Sequence, residues 1–531
     1  MPERVHPRPQ PVLVPHENFD PPASARNLML RRSHPLSAGF FSLVIAGEGV
    51  KPLTIDRLTD WRLGIKRKSP HRSPFNPRLS LSPPCDTFQN MRKISRRRLL
   101  QAGVIAPAGM LAGHRARTAG RPNLILISID TLRPDRLSGY GHKRKTSPNI
   151  DQLLGRSAVF TDAITNVPLT GPSFTSLFTS LYPHETGAVR NGIPMVDGPV
   201  TLAMALKKNG YHTAAVLSNW PLQKRLSNLG GGFDLYDDDF HQKRWLIFND
   251  ERDAEGVTAR ALTWLEKNPP EPFFAWVHYS DPHSPYLAHE GFAPTPGSSD
   301  RARYDSEVAY TDHHLGVLLH RLGERGLFDR SLVAFISDHG ESLGEHSYTG
   351  HGRNLYQPGL RVPFALAGPG IAFRHEPHPV QLLDLAPTML GYAGLPAPAQ
   401  MRGLNLMPAL RGEVPWPART LRFETYPGAA PQVTGSEKAL SRPLWVGEKT
   451  GARKLLLALS PQRRWEQYDL AVDPTESKNL VRLRDPDFNR EADGLLSWYR
   501  SWEGNMVVGN VRAVTEEDRK KFQALGYMDG P

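Results

Sequence analysis

Four nearly continuous apolar runs constrain the fold of this chain more than any other feature of its sequence. Each run is short, ends in a polar residue and is separated from the next run by a stretch in which apolar residues have helical spacing. Strands that are buried on both faces and alternate with helices are typical of a parallel sheet. The runs occupy residues 123–130, 212–219, 273–281 and 331–338. We therefore predict an α/β fold with a mostly parallel sheet sandwiched between layers of helices.

Three of these runs end in an aspartate, namely Asp130, Asp281 and Asp338. In open α/β sheets, ligands bind beyond the carboxyl ends of the strands. A single aspartate after a strand is usually a helix N-cap. Because histidines follow two of the three closely, as His283 and His339, we expect the set to form a functional site.

A hydroxyl group is expected beside these strand ends. Pro172 stands near the first position of a predicted helix, so Thr170 lies at the helix N-terminus, where backbone N–H groups and the helix dipole favour anions. Carboxylates and an imidazole can bind a divalent metal ion, and such an ion lowers the pKa of a hydroxyl group. The constellation predicts the hydrolysis of a tetrahedral oxyanion ester, with a small-molecule ester as the substrate.

Charge and cysteine content exclude several classes of function. Residues 1–121 carry an excess of 14 positive charges, whereas residues 122–531 are near neutral, so nucleic-acid binding by the body of the protein is not expected. The single cysteine, Cys85, excludes a disulfide framework or an iron–sulfur cluster within one chain. The sequence has no run of 18 apolar residues, and no stable membrane insertion is predicted.

The N-terminal part has the pattern of a targeting segment. Residues 1–90 lack periodicity and indicate either a disordered tail or a segment that is not normally translated, and we favour the second. Residues 91–120 resemble a twin-arginine export signal, with a basic stretch, an apolar stretch and then small residues; a basic surface helix is the alternative. We therefore expect export to the periplasm or the cell exterior, with transient contact to the export machinery.

From about residue 122 to about residue 482, the chain resembles the sulfatase branch of the alkaline phosphatase superfamily. The resemblance rests on the order and spacing of motifs at residues 129–135, 170–173, 182–184, 281–286, 337–340, 350–352, 468–470 and 473–480. It implies one metal ion held by Asp130, Asp338 and His339, and it implies Thr170 as the nucleophile that contacts the metal. His283 and His351 would contact the anion or protonate the leaving group.

The departures from the family pattern bear on the substrate. Sulfatases use a formylglycine made from cysteine or serine, but Thr170 occupies that position and cannot be oxidised to an aldehyde, so no formylglycine is expected. Phe174 replaces the arginine of the motif, and His351 replaces a lysine. The aldehyde hydrate expels sulfate through its second hydroxyl group, which threonine lacks. Phosphodiester or phosphonate esters are therefore favoured on chemical grounds. Imidazole ligands shift the expected metal from calcium toward zinc or manganese.

Several alternatives stay open at this point. Ser173 or Ser176 could be the nucleophile, although the motif alignment favours Thr170. A second metal could bind to Asp281, His283 and His351; otherwise Asp281 only terminates its strand. The chain could also be a true sulfuric ester hydrolase without formylglycine, or a catalytically silent metal-binding protein. We expect a catalytic domain over residues 121–400 and a smaller α/β subdomain over residues 401–531.

Overall fold

The computed structural model describes residues 120–240, 251–287, 289–292, 297–427, 442–510, 515–518 and 520. The expectations for the tail and for the export signal lie outside the described residues, apart from Gly120, and export stays a prediction. Within the described part of the chain, no helix combines the length and the hydropathy that crossing a bilayer requires.

The described residues form sixteen strands and eleven α-helices. The strands are β1 Asn123–Ile129, β2 Ala158–Phe160, β3 Ala163–Ile164, β4 His212–Val216, β5 Leu235–Asp237, β6 Phe273–Tyr279, β7 Ser331–Ser337, β8 Ser342–Leu343, β9 Thr349–Gly350, β10 Phe364–Ala367, β11 Arg374–Glu376, β12 Val380–Gln381, β13 Thr420–Thr425, β14 Trp445–Thr450, β15 Arg453–Ala458 and β16 Arg464–Asp469. The helices are α1 Pro148–Leu154, α2 Thr170–Thr179, α3 Pro183–Thr186, α4 Leu202–Lys208, α5 Lys224–Ser227, α6 Ala254–Glu266, α7 Asp300–Glu324, α8 Gln357–Leu360, α9 Leu385–Tyr392, α10 Met407–Leu410 and α11 Pro486–Glu503.

A mostly parallel sheet of eight strands forms the centre of the fold, which confirms the predicted class. Its strand order is β11-β2-β10-β7-β1-β6-β4-β5, and β10 is antiparallel to both of its neighbours. The four apolar runs are the adjacent parallel strands β7, β1, β6 and β4. Every residue of β1, β6 and β7 is buried, because helices cover both faces of the sheet.

Alternation along β1 divides the core between the two faces of the sheet. Leu124 and Leu126 pack with α2, α4 and α9 on one face, whereas Ile125, Ile127 and Ile129 pack with α1, α6 and α7 on the other face. Side chains of successive strand residues point to opposite faces, so one apolar run supplies both layers of the core. The sandwich of helices around the sheet follows from this pattern.

The strand register brings the polar strand ends together at one edge. Ile129 is paired with Tyr279 of β6 and with Ser337 of β7. The backbone N–H of Asp130 continues this pairing and donates to the carbonyl oxygen of Tyr279 at 2.9 Å. Asp130 and Asp338 therefore leave neighbouring strands at the same level, which positions the site described below.

A four-stranded antiparallel sheet, β13-β14-β15-β16, follows the catalytic region. One of its faces packs against α11, and the other packs against residues of the catalytic region such as Leu355 and Leu360. A hydrogen bond supports this contact, since a carboxylate oxygen of Glu424 in β13 lies 2.8 Å from Nδ1 of His184 in α3. Residues 406–410 contribute to the main core, so the second sheet itself begins at Thr420.

A buried ion pair also ties this sheet to the catalytic region. Nζ of Lys454 lies 2.5 Å from Oε1 of Glu476, and both side chains are fully buried. The other carboxylate oxygen of Glu476 accepts the backbone N–H of Gln357 at 2.6 Å. Burial lowers the pKa of Lys454, because a charged ammonium group is poorly solvated there.

We expect Glu476→Ala to lower the free energy of unfolding by about 3–5 kcal/mol, because it leaves the Lys454 ammonium group buried without its partner. The double variant Lys454→Met/Glu476→Gln keeps an acceptor for the N–H of Gln357 and should recover most of that loss. Urea unfolding measures both, with Glu413→Ala at an exposed position as the control. A loss below about 1 kcal/mol for Glu476→Ala would contradict the assigned role of the pair.

Candidate active site

Three metal-ligand side chains meet at the carboxyl ends of β1 and β7. The ligand atoms of Asp130, Asp338 and His339 all lie within 4.8 Å of one another, and all three side chains are buried. These are the three residues that the sequence predicts as metal ligands. Beyond Asp130 the chain turns sharply, since Thr131 has a φ of 54°. Its hydroxyl group is buried at this turn.

The orientation of His339 is set by the backbone of the next residue. Its Nδ1 lies 3.0 Å from the carbonyl oxygen of Gly340; because a carbonyl can only accept, this nitrogen carries the hydrogen. Nε2 faces the centre of the cluster, 3.4 Å from Oδ2 of Asp338 and 3.6 Å from Oδ1 of Asp130. A histidine held by one nitrogen with the other turned toward carboxylates has the arrangement of a metal ligand.

Thr170 begins α2, and its hydroxyl group faces the same cluster. Oγ1 of Thr170 lies 3.2 Å from Nε2 of His339. Asn191 accepts the N–H of Gly171 at 2.7 Å. Ser173 instead donates to the carbonyl oxygen of Asp338 at 2.8 Å, so its hydroxyl group joins α2 to β7. This contact gives Ser173 a structural role, whereas the hydroxyl group of Thr170 faces His339.

The cluster fits a divalent cation on the evidence of its own atoms. Among the described residues, Oδ1 of Asp130 and both carboxylate oxygens of Asp338 are buried without a hydrogen-bond partner. Burial, together with the neighbouring Asp338, raises the pKa of Asp130 well above its usual value, and burial raises the pKa of Asp338 to about 8. Two adjacent buried carboxylates of this kind stay ionised at neutral pH only with a positive charge beside them, which a bound metal ion would supply.

Two further imidazoles lie beside the cluster. The rings of His351 and His339 are 4.4 Å apart, and those of His283 and His351 are 5.3 Å apart. Nδ1 of His283 lies 2.6 Å from the carbonyl oxygen of Ser284, and Nδ1 of His351 lies 3.1 Å from Oε1 of Glu341. Burial lowers the pKa of His283 to about 3, and burial and the nearby His339 lower that of His351 well below its usual value. The structure thus brings every predicted catalytic residue to one site.

The alternative of a second metal at Asp281, His283 and His351 finds no support in the described residues. Among the described residues, Asp281 forms a ligand-sized group with His289 and Glu307 and not with His283 and His351. One oxygen of Asp281 accepts the N–H of Ala254 at 2.8 Å. The carboxylate thereby binds the first N–H of α6.

Some polar neighbours of the site were not singled out from the sequence. Asn219 donates from its side chain to Asp130, and Glu341 is buried next to His351. His278 of β6 is buried with its pKa lowered to about 3 by burial. The sequence could have indicated Asn219, because this residue ends the apolar run of β4 just as Asp130 ends that of β1. Glu341 follows the His339-Gly340 turn, and only the three-dimensional structure pairs it with His351.

This geometry, with acids and an imidazole that could hold a metal ion beside a hydroxyl group at a helix N-terminus, is typical of an ester hydrolase. A model of the sulfatase family matches residues 122–395, and a model of the C-terminal part of N-sulphoglucosamine sulphohydrolase matches residues 344–490. The chain belongs to the sulfatase family, and it is an ester hydrolase of the alkaline phosphatase superfamily.

Known relatives cover most of the chain at low identity. The Delta 4,5-hexuronate-2-O-sulfatase of Bacteroides thetaiotaomicron is 23% identical over 72% of this chain and 88% of that protein. The choline-sulfatase of Rhizobium meliloti is 26% identical over 68% of this chain and 83% of that protein. The phosphonate monoester hydrolase of Agrobacterium radiobacter has a TM-score of 0.59 at 22% identity, over 72% of this chain and 96% of that chain; this likeness shows the fold alone.

The raised pKa of Asp338 predicts a pH dependence of stability in chelated protein. Folded protein retains a proton between the ordinary value of 3.8 and about 8 that the unfolded chain releases. The free energy of unfolding should therefore fall as the pH rises through this interval. Asp338→Asn should flatten the fall, whereas the exposed variant Asp329→Asn should not. Urea unfolding in chelator measures the slope, and a slope unchanged by Asp338→Asn would contradict the assignment.

Proposed function

We propose that this protein hydrolyses phosphodiester or phosphonate esters with Thr170 as the nucleophile. The observation that carries the proposal is the position of Thr170 Oγ1, 3.2 Å from Nε2 of His339, beside Asp130 and Asp338 at the start of a buried helix. Burying two carboxylates next to a hydroxyl group is costly, and a threonine that only packs in the core does not account for that cost.

Asp130, Asp338 and His339 would hold one divalent cation, and their mixed oxygen and nitrogen donors suit zinc or manganese better than calcium. When bound, such a cation lowers the pKa of a neighbouring hydroxyl group and neutralises charge on an oxyanion. Asn219 holds one oxygen of Asp130 through its amide, which directs the other oxygen toward Nε2 of His339.

The proposed reaction has two displacements at phosphorus. Oγ1 of Thr170 loses its proton to solvent and forms a bond to phosphorus, while the bond from phosphorus to the leaving oxygen breaks. That oxygen takes a proton from His351. Water then attacks the phosphothreonine and gives a proton to His351, the bond from Oγ1 to phosphorus breaks, and Thr170 regains a proton from solvent. The sum is one ester and one water converted to one alcohol and one acid.

The chemistry of threonine favours phosphorus over sulfur as the reacting centre. A sulfated threonine has no second hydroxyl group through which it could eliminate sulfate, so it depends on direct attack by water. Phosphorus accepts such attack when the anionic charge is neutralised. The named relatives that are sulfatases favour the second candidate, a sulfuric ester hydrolase that works without formylglycine.

Replacement of the nucleophile tests the mechanism. Thr170→Ala should lower kcat by about 10³-fold or more, whereas Thr170→Ser retains a hydroxyl group and should keep measurable turnover. Ser176→Ala removes a buried hydroxyl group six residues further along the same helix and serves as the matched control. Steady-state kinetics on metal-reconstituted protein measures all three. If activity survives Thr170→Ala but not Ser176→Ala, the nucleophile is not Thr170, and the proposal is wrong.

A substrate comparison tests the choice of reacting centre. We expect the reconstituted enzyme to hydrolyse a bis-aryl phosphate or an aryl phosphonate with a higher kcat/KM than the aryl sulfate with the same leaving group. A preference of a hundredfold or more for the sulfate would instead establish the sulfuric ester hydrolase. Metal retained at one equivalent, with no turnover of any of these esters, would overturn both candidates.

A further inference from the structure

A short hairpin brings Glu341 and His351 together. Strands β8 and β9 are antiparallel, with Leu343 opposite Thr349 and Ser342 opposite Gly350. Extending this register by one position places Glu341 opposite His351. Their side chains accordingly meet, with Oε1 of Glu341 3.1 Å from Nδ1 of His351. The pairing is therefore built into the hairpin backbone.

Both ends of the hairpin are fixed by hydrogen bonds to the backbone. Nη1 of Arg133 donates to the carbonyl oxygen of Glu341 at 2.9 Å, and the hydroxyl group of Tyr348 donates to the carbonyl oxygen of His351 at 2.6 Å. Gly350 has a φ of 107°, a conformation that favours glycine. It turns the chain so that His351 leaves the hairpin toward His339. The two side chains thus have little freedom to separate.

We propose that Glu341 is a positioning residue that orients His351 toward the reacting ester. Because Nδ1 of His351 is engaged by Glu341, contact with a substrate oxygen is made through Nε2. An acid that fixes one nitrogen of an imidazole also fixes the orientation and the tautomer of the ring. The inference rests on the proposed function, and it assigns Glu341 no contact with the substrate.

The surroundings of Glu341 argue against a purely structural acid. Its side chain is buried, and its Oε2 has no hydrogen-bond partner among the described residues. A hairpin that needed only an acceptor for Nδ1 would be served by a neutral amide, which is less costly to bury than a carboxylate. Glu345, the other acid of the hairpin, instead pairs with Arg133 and Arg301.

The test uses Glu341→Gln, His351→Ala and the double variant in the full chain, reconstituted with metal. The substrates are substituted-phenyl esters of phenylphosphonic acid, or the corresponding sulfates if the wild type hydrolyses those faster. We expect Glu341→Gln to lower kcat by about 10–100-fold with little change in KM. The loss should grow as the leaving phenol becomes more basic, because such a phenol depends more on proton donation.

The double variant isolates the coupling between the two residues. Glu341→Gln should cost less than about twofold when His351 is already alanine. Metal content and Tm should match the wild type, and Glu324→Gln on the exposed side of α7 is the control. Three results would each overturn the inference. The first is a loss of kcat in Glu341→Gln that is equal for every leaving group, and the second is a loss that is fully additive with that of His351→Ala. The third is a loss of bound metal in Glu341→Gln. Thr170→Ala distinguishes a failure of this inference from a failure of the proposed function. An active Thr170→Ala enzyme refutes the proposed function itself.

Discussion

Two carboxylates buried side by side are the constraint on which this structure depends. Asp130 and Asp338 lie at the ends of neighbouring strands, shielded from water, with an imidazole between them and an amide on one oxygen. Two like charges in such a place repel each other and lose their hydration. A divalent cation would resolve both problems, and His339 and Thr170 lie next to the position it would take.

The fold produces this arrangement through backbone pairing. The parallel register of β7, β1 and β6 fixes the levels at which the two acids emerge. Helix α2 then enters with Thr170 at its first position, and Ser173 joins the helix to the carbonyl oxygen of Asp338. A hairpin beyond His339 returns His351 to the same edge. Each reactive group is held by a regular element or a tight turn, which limits its freedom before any substrate binds.

The sequence predicted the parts of this design that arise from local pattern. Apolar runs identify the parallel strands because both faces of each strand are buried. Asp130, Asp338 and His339 could be grouped because parallel strands end at one edge, and Thr170 could be placed because a proline marks the helix start. The structure brings these four side chains together.

What the sequence did not predict depends on side-chain direction. Asp281 ends a parallel strand as Asp130 does, but its carboxylate binds the first N–H of α6, a partner 27 residues earlier in the chain. The pairing of Glu341 with His351 depends on the register of a hairpin whose strands have two residues each. Such short strands give almost no periodic signal, so their register is visible only once the chain is folded.

Anomalous diffraction from crystals of protein reconstituted with zinc or manganese tests the central claim most directly. We predict one strong peak within about 2.0–2.3 Å of a carboxylate oxygen of Asp130, a carboxylate oxygen of Asp338, Nε2 of His339 and Oγ1 of Thr170. A cation bound elsewhere, or one held by the acids while Thr170 points away from it, would contradict this assignment of the nucleophile.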